Sequence, residues 1–278
     1  MDQPSLETAL ADLPLPAIRF FSKLDSTNDE AWRWIDSGAP HAALVIADEQ
    51  TAGRGRSHRH WVTVAGSALA FSLVLLSPPL GPQHIQRLTG LGALAVCQAL
   101  QKLYSIKAEI KWPNDILLDQ RKVGGILAET RWQGDEFEAA VIGIGINIAP
   151  QSVSPQNLPV ERLNFPVTCV EAEVDHPVNR LECLHEILET VFQWIEQLSS
   201  HEFLAAWEDK LAYRDQWVEL SMVNPTSSTQ AQFEADPVSM GKLVGLDSNG
   251  SLKLLTQAGS VITVQVGELQ LKPPSPTG

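Results

Sequence analysis

Cysteine, positive charge and long apolar runs are all scarce in this chain. Its three cysteines, Cys97, Cys169 and Cys183, lie too far apart for a disulfide framework or a Cys-x-x-Cys metal or redox site, so they read as small buried apolar residues. No apolar stretch approaches the roughly 20 residues that a bilayer demands, and Met1-Asp2-Gln3-Pro4 lacks the basic start of a signal peptide. Both absences argue against a membrane partner and predict a cytoplasmic protein. Lys and Arg number 20 against 33 Asp and Glu, a net charge of −13. Such a surface repels phosphate backbones, which argues against a nucleic-acid partner. Three catalytic signatures are missing too: a Gly-x-x-x-x-Gly-Lys-Ser/Thr loop, a Gly-x-Ser-x-Gly elbow and zinc-protease histidine spacing. An ATP user built on this sequence is therefore not of the P-loop type, and hydrolase chemistry has no support.

What is present is an ordinary soluble composition, 44% hydrophobic over 278 residues, enough for one large domain or one large and one small. Residues 5–15 read as a short helix stopped by Pro14 and Pro16, and Ile18 to Leu24 as a strand. Thr27-x-x-Glu30 fits a capping box for a helix that turns Ala31, Trp34 and Ile35 to the core. Leu44 to Ala47 and Ala68 to Leu76 have strand length, and Ile85 to Tyr104 has helical spacing. Strands at Ile106 to Lys111, Ile116 to Leu118, Val123 to Arg131 and Phe137 to Ile148 then follow through tight turns. This order predicts an α+β fold, a mixed, mainly antiparallel sheet with helices on one side. Four prolines between Pro150 and Pro166 mark a long loop, and Arg180 to Leu198 and His201 to Tyr213 form an amphipathic helix pair. Short alternating strands beyond Gln216 predict a small β-barrel, with a frayed tail from Lys272. The expected domains are 1–214 and 215–278.

Three clusters can carry chemistry. Gln50-Thr51-Ala52-Gly53-Arg54-Gly55-Arg56-Ser57-His58-Arg59-His60-Trp61 combines glycines, which let backbone N–H groups approach a ligand, with arginines suited to carboxylate and phosphate oxygens. Taken alone it is either an anion clamp or a solvated charged loop. Lys111-Trp112-Pro113-Asn114-Asp115, with Arg121-Lys122-Val123-Gly124-Gly125, places cations, a carboxylate and bare backbone together, or else is a hairpin with exposed charges. Gly143 and Gly145 interrupt an apolar strand, which weakens it unless something must approach the backbone closely. They do not make a dinucleotide fingerprint, because the third glycine is missing.

In this order, Ser26-Thr27-Asn28, Gln50 through Trp61, Lys111 through Asp115, Lys122 through Glu129 and Gly143 through Asn147 resemble the biotin protein ligases, which join biotin to a lysine of a carrier protein. The resemblance spans about residues 18–272 and implies a class II synthetase-like ligase fold with a C-terminal SH3-like domain. It implies that Ser26, Thr27, Asn28 and Gln50 bind the ureido end of biotin, with Gly125, Gly143 and Gly145 lining the pocket. Gly53, Arg54, Gly55 and Arg56 would order over the ligand, and the segment from Pro150 to Pro166 would be a second lid. Arg56, Arg59, Trp61, Lys111, Asn114, Asp115, Lys122 and Asn147 would bind ATP, with Mg2+ accompanying it near Asp115. Lys122, which would also bind biotin by reaching its carboxylate as well as the α-phosphate, and Arg54 are the expected catalytic cations. No tightly bound cofactor and no protein-only metal site are implied. The implied partner is a biotin carboxyl carrier protein, served by a monomer or homodimer without repressor function.

Electrostatics agrees with the resemblance. Joining a biotin carboxylate to an ATP phosphate opposes two anions, by about 1 kcal/mol at ~4 Å in water and about 4 at an effective dielectric of ~20. Cations must offset that. The family usually has glycine where this chain has His58, so a positive φ there would strain the loop. The alternatives are a lipoate or octanoate ligase of the same fold, and a non-catalytic biotin-binding sensor.

Overall fold

Alternation along the strands sorts side chains onto two unlike faces of one sheet. In the computed structural model, which describes residues 1–56, 59–77, 84–154, 166–223, 239–264 and 268–272, Leu44–Ala47 (β2) pairs antiparallel with Ala68–Leu76 (β3). Glu136–Asn147 (β7) runs antiparallel along the whole of β3. Arg121–Gln133 (β6), Asp115–Leu118 (β5) and Ala108–Lys111 (β4) follow, each antiparallel to the last, while Ile18–Phe21 (β1) joins β2 in parallel. The order of this seven-stranded sheet is β1-β2-β3-β7-β6-β5-β4, the mixed, mainly antiparallel arrangement expected.

One face carries Leu69, Phe71, Leu73 and Leu75 of β3 and Ile142, Ile144 and Ile146 of β7. It packs on Gln3–Ala9 (α1), Gln86–Tyr104 (α3), Arg180–Ile195 (α5) and His201–Asp209 (α6), through residues such as Leu6, Leu91, Leu188 and Phe203. Burying each such side chain contributes about 1.5–3 kcal/mol. On the opposite face Thr27–Asp36 (α2) sets Ala31 and Trp34 on Val45, Val74 and Val141, closing one end of that face.

Several boundaries differ from the sequence pattern. The first helix is Gln3–Ala9, because Asp2 caps it by accepting from Ser5 N. Ser26, not Thr27, caps α2, its Oγ accepting from Asp29 N at 3.4 Å. Thr27 Oγ1 is engaged elsewhere, with Gln50 and Ser72, and Glu30 pairs with Arg19 and Arg33 instead of closing a box. A short helix, Val170–Val174 (α4), was not expected. A 3-10 turn, Pro150–Val153, opens the proline-rich stretch, and residues 155–165 of that expected lid lie outside the described residues. So do Ser57 and His58.

The C-terminal part is a second, five-stranded antiparallel sheet of Trp217–Val223 (β8), Ser239–Leu246 (β9), Leu252–Leu255 (β10), Val261–Val264 (β11) and Glu268–Lys272 (β12). Its order among the described residues is β11-β10-β9-β8-β12, consistent with an SH3-like domain. Residues 273–278, most of the tail expected to fray, lie outside the described residues. Trp112 Nε1 donates to Gly250 O at 3.0 Å, fastening the β9–β10 turn to the end of β4.

Candidate functional site

Strand register assembles the site's floor. A single row crosses all seven strands through Phe21, Ala47, Ala70, Gly145, Gly125, Asp115 and Lys111. Its middle holds nothing larger than a methyl group, so the row is a trough with a carboxylate and a lysine at one end. The adjacent row on the same face is Val45, Ser72, Gly143 and Leu127.

Both strand glycines lie under a side chain. A Cβ on Gly143 would sit 2.1 Å from Asn28 Oδ1, and one on Gly145 would sit 2.5 Å from the Trp61 ring. Their absent side chains thus make room for Asn28 and Trp61 to lie directly on the sheet, which explains the glycines in an apolar strand.

A polar cluster at the start of α2 borders the second row. Gln50 Oε1 accepts from Thr27 N at 2.8 Å and Thr27 Oγ1 at 3.1 Å, while Gln50 Nε2 donates to Thr63 Oγ1 at 3.1 Å. Ser72 Oγ lies 2.8 Å from Thr27 Oγ1 and 2.6 Å from Asn28 Oδ1. Thr27 and Asn28 are buried, and these hydrogen bonds are what makes their burial tolerable, as the bond from Asp29 N does for Ser26.

The Gly-Arg segment is paired at its base. Gln50 bridges Thr63, Trp61 N donates to Gly53 O at 2.8 Å, and Gly55 N donates to Arg59 O at 2.7 Å. Gly53 is required there, because a Cβ would meet Trp61 O at 2.3 Å. Arg54 turns inward to Glu129, with two bonds of 2.8 Å, and to Asp29 Oδ1 at 2.7 Å. Burial alone would lower the Arg54 pKa, but the hydrogen bonds and charges of Glu129 and Asp29 outweigh it and raise it. Arg56 is half-buried and Arg59 is exposed on the returning limb.

At the other end, Lys122 Nζ donates to Asp115 Oδ1 at 2.5 Å and lies 6.0 Å from the Trp61 ring centroid. Gly125 lies beside it, and a Cβ there would be in ordinary contact with Lys122 Nζ at 3.6 Å. Asn114 braces the β5–β6 pairing by donating to Ile126 O at 3.0 Å. Asn147 Nδ2 donates to Thr168 O at 3.2 Å, and the Lys122 backbone bonds to Pro166 O and Thr168 N, so residues 166–168 wall this end. Lys111 is buried in the row itself. Trp61 Nε1, between the two ends, is a buried donor with no partner among the described residues. An unpaired N–H of this kind fits an acceptor atom of a ligand. No cluster of three or more His, Cys, Asp or Glu able to hold a metal occurs among the described residues.

The structure thus gathers onto one face most of the residues singled out from the sequence, in a polar end and a cationic end joined by a row of small residues under Trp61. Sequence reasoning missed Asp29, Ser72, Thr63 and any role for Glu129. Ser72 was legible as a hydroxyl in phase with Ala70 inside an otherwise apolar strand, and Glu129 as a charge in phase with Gly125 and Leu127.

Residues 20–147 match the model of the biotin/lipoate A/B protein ligase family. The chain is 34% identical over 242 residues to a biotin–[acetyl-CoA-carboxylase] ligase of Paracoccus denitrificans, covering 86% of this chain and 94% of that one. It is 32% identical over 236 residues to the bifunctional ligase/repressor BirA of Bacillus subtilis, covering 85% of this chain and 68% of the relative. Among solved structures, the biotin protein ligase of Aquifex aeolicus in complex with biotin and ATP superposes with a TM-score of 0.73 at 26% identity, covering 93% of this chain and 100% of that one.

Proposed function

We infer that this chain, which belongs to the biotin/lipoate A/B protein ligase family, is an ATP-dependent biotin ligase that forms biotinyl-5′-AMP and passes the biotinyl group to a lysine of a biotin carboxyl carrier protein. In the first step a carboxylate oxygen of biotin attacks the α-phosphorus of ATP, and the bond to pyrophosphate breaks. In the second the carrier's amine attacks the acyl carbon, AMP leaves and the amine gives up a proton. The carrier lysine must first be deprotonated, from a pKa of about 10.4.

One observation carries this reading: a row of small residues beneath Trp61 joins a polar cluster to a cationic end on a single sheet face. Ser26, Thr27, Asn28 and Gln50 suit the ureido ring, and Gly143 and Gly145 let Asn28 and Trp61 lie low on the sheet beside the rest of the acid. A lipoyl dithiolane offers those polar groups no hydrogen bond, and a site built for such bonds rejects a ligand lacking them. Arg54 and Lys122 offset the charge of the two anions and position them, which is electrostatic rather than proton-transfer catalysis. Arg56, Arg59, Trp61, Lys111, Asn114 and Asn147 serve the nucleotide. Magnesium takes one or two carboxylates together with phosphate oxygens, and Asp115 is placed to be such a carboxylate. Lys122 and Asp115 then part as nucleotide enters, the lysine going to phosphate. Gly53, Gly55 and the Gly-Arg segment cover the adenylate against water.

The reading extends to a catalytic domain over 1–214 with an SH3-like domain over 215–278, and to a cytoplasmic setting, supported by three free, buried cysteines. It further holds that the chain has no repressor function, supported by its net charge of −13. Biotin-dependent, sequence-specific retardation of DNA in a gel would overturn that last point. ATP–pyrophosphate exchange with biotin, lipoate or no acid tests the core. Exchange with biotin alone is expected, and exchange with lipoate alone or with neither would reject the assignment.

A further inference from the structure

Arg54 needs something to aim it, and the side chain that does so lies outside every role given above. Glu129 stands on β6 in phase with Leu127 and Gly125, so it shares the face of the trough. Its register partner is Val141, at the end of the sheet covered by α2. Both carboxylate oxygens meet the Arg54 guanidinium at 2.8 Å, the parallel two-bond fork that fixes orientation as well as distance. From behind, Oε2 also accepts from Asn28 Nδ2 at 2.8 Å and from Trp32 Nε1 at 3.3 Å, both on α2. Glu129 is therefore held by α2 whether or not Arg54 is present, whereas the backbone around Arg54 is tied chiefly to the returning limb of its own segment, at His60 and between Gly55 and Arg59.

A carboxylate so near a site that must gather two anions opposes their binding by simple Coulomb repulsion. Its presence there calls for a compensating role, and the fork supplies one. We propose that Glu129 is the positioning residue that seats Arg54, and with it the base of the Gly-Arg segment, over the acyl site. This rests on the biotin-ligase reading of that site. Asp29, at 2.7 Å, is a secondary tether, and Asn28 links the same carboxylate to the pocket above Gly143.

The test compares wild type with Glu129→Gln, Glu129→Asp, Arg54→Ala and the Arg54→Ala/Glu129→Gln double variant. Glu129→Gln is expected to release biotinyl-5′-AMP about tenfold faster and raise KM for biotin by a similar factor, with KM for ATP little changed, as for loss of one charge-assisted pair. Glu129→Asp, which keeps the charge, should recover part of the loss. The double variant should leak no faster than Arg54→Ala alone, because the residues act through one contact. Strictly additive effects, or a Glu129→Gln defect that raises both KM values in step with a lower Tm, would overturn the proposal. Amide hydrogen exchange of residues 50–56 and 59–63 in ligand-free protein provides a second readout that needs no activity. Faster exchange confined to that segment in Glu129→Gln is expected, and unchanged exchange would overturn the proposal. Should wild type show no biotin-dependent pyrophosphate exchange, the ligase reading fails, while the exchange rates still decide whether Glu129 seats Arg54.

Discussion

Glycine at 143 is the sharpest constraint in the site, because the space of its missing side chain is already taken by Asn28 Oδ1. Gly143→Ala must push Asn28 away from Ser72 and Glu129, the contacts that aim it. A KM for biotin raised by at least about tenfold is expected in pyrophosphate exchange, equivalent to losing one hydrogen bond to a charged group. An unaltered KM would mean that Asn28 does not border the acid. Lys122→Met tests the other end. It keeps the apolar stem but removes the cation near the two opposed anions, so single-turnover adenylation should fall about 10²–10³-fold, as for loss of one preorganised stabilising group. A variant within a few-fold of wild type would shift the role to Arg54 or Lys111. Residue types made these positions legible in the sequence: glycine in an apolar strand and lysine beside a double glycine point to ligand approach on chemistry alone. Strand phase alone marks Ser72 and Glu129 as facing the site, but their partners, and Asp29, become visible only once strand register and the first turn of α2 bring them together.

Periodicity made the elements legible, and side-chain competition decided their ends. The helix α3 and strands β2 and β3 follow the apolar spacing almost residue for residue, since buried periodic runs have few alternatives. The start of α2 was misread because Thr27, a good cap by type, is committed to Gln50 and Ser72, leaving Ser26 to cap. Acid should loosen this turn selectively. The hydrogen-bonded Arg33 guanidinium outweighs the opposing effect of burial and lowers the Asp25 pKa from 3.8 to about 2, with the bond from Ser26 N adding to it. A depressed carboxyl stabilises the fold above its unfolded pKa and loses that contribution as pH falls through the folded value. Asp25→Asn should therefore be less stable than wild type in urea at pH 6, with the gap closing between pH ~4 and ~2; a gap persisting at pH ~2 would reject the pairing. The helices also predict thiol behaviour. Burial pushes Cys97 of α3 and Cys183 of α5 up to about 12, so neither should react with a disulfide reagent until the protein unfolds. Rapid reaction of either in native protein would mean that α3 and α5 separate easily.

At the scale of the whole molecule the two sheets share one core. Leu243, Leu246, Leu252 and Leu254 of the C-terminal sheet belong to the same apolar cluster as Trp112 and Trp207 of the larger part. Gly250, at φ +88°, lies against Trp207, where a Cβ would come within 2.5 Å, so the β9–β10 turn fits there only as glycine. Beneath it Arg87 is almost wholly buried and donates to Leu198 O at 2.7 Å, Ser200 O at 3.1 Å and Ser248 O. Burial lowers the Arg87 pKa, with the charge of Asp247 acting the other way, so this cation is held chiefly by backbone carbonyls rather than by a salt bridge. The short alternating strands beyond Gln216 suggest an appended domain, yet a turn that plugs between two tryptophans and a buried arginine couples the parts more tightly than a linker would. Thermal unfolding should therefore be a single transition, with near-ultraviolet circular dichroism of the tryptophans and loss of pyrophosphate exchange tracking together. Arg87→Met, which leaves those carbonyls without a donor, should cost about 3 kcal/mol while keeping the transition single or splitting it only slightly. Two well-separated transitions in the wild-type chain, with activity surviving the first, would show that the C-terminal sheet is independent and that the Trp112–Gly250 contact does not brace the strand end leading to Asn114 and Asp115.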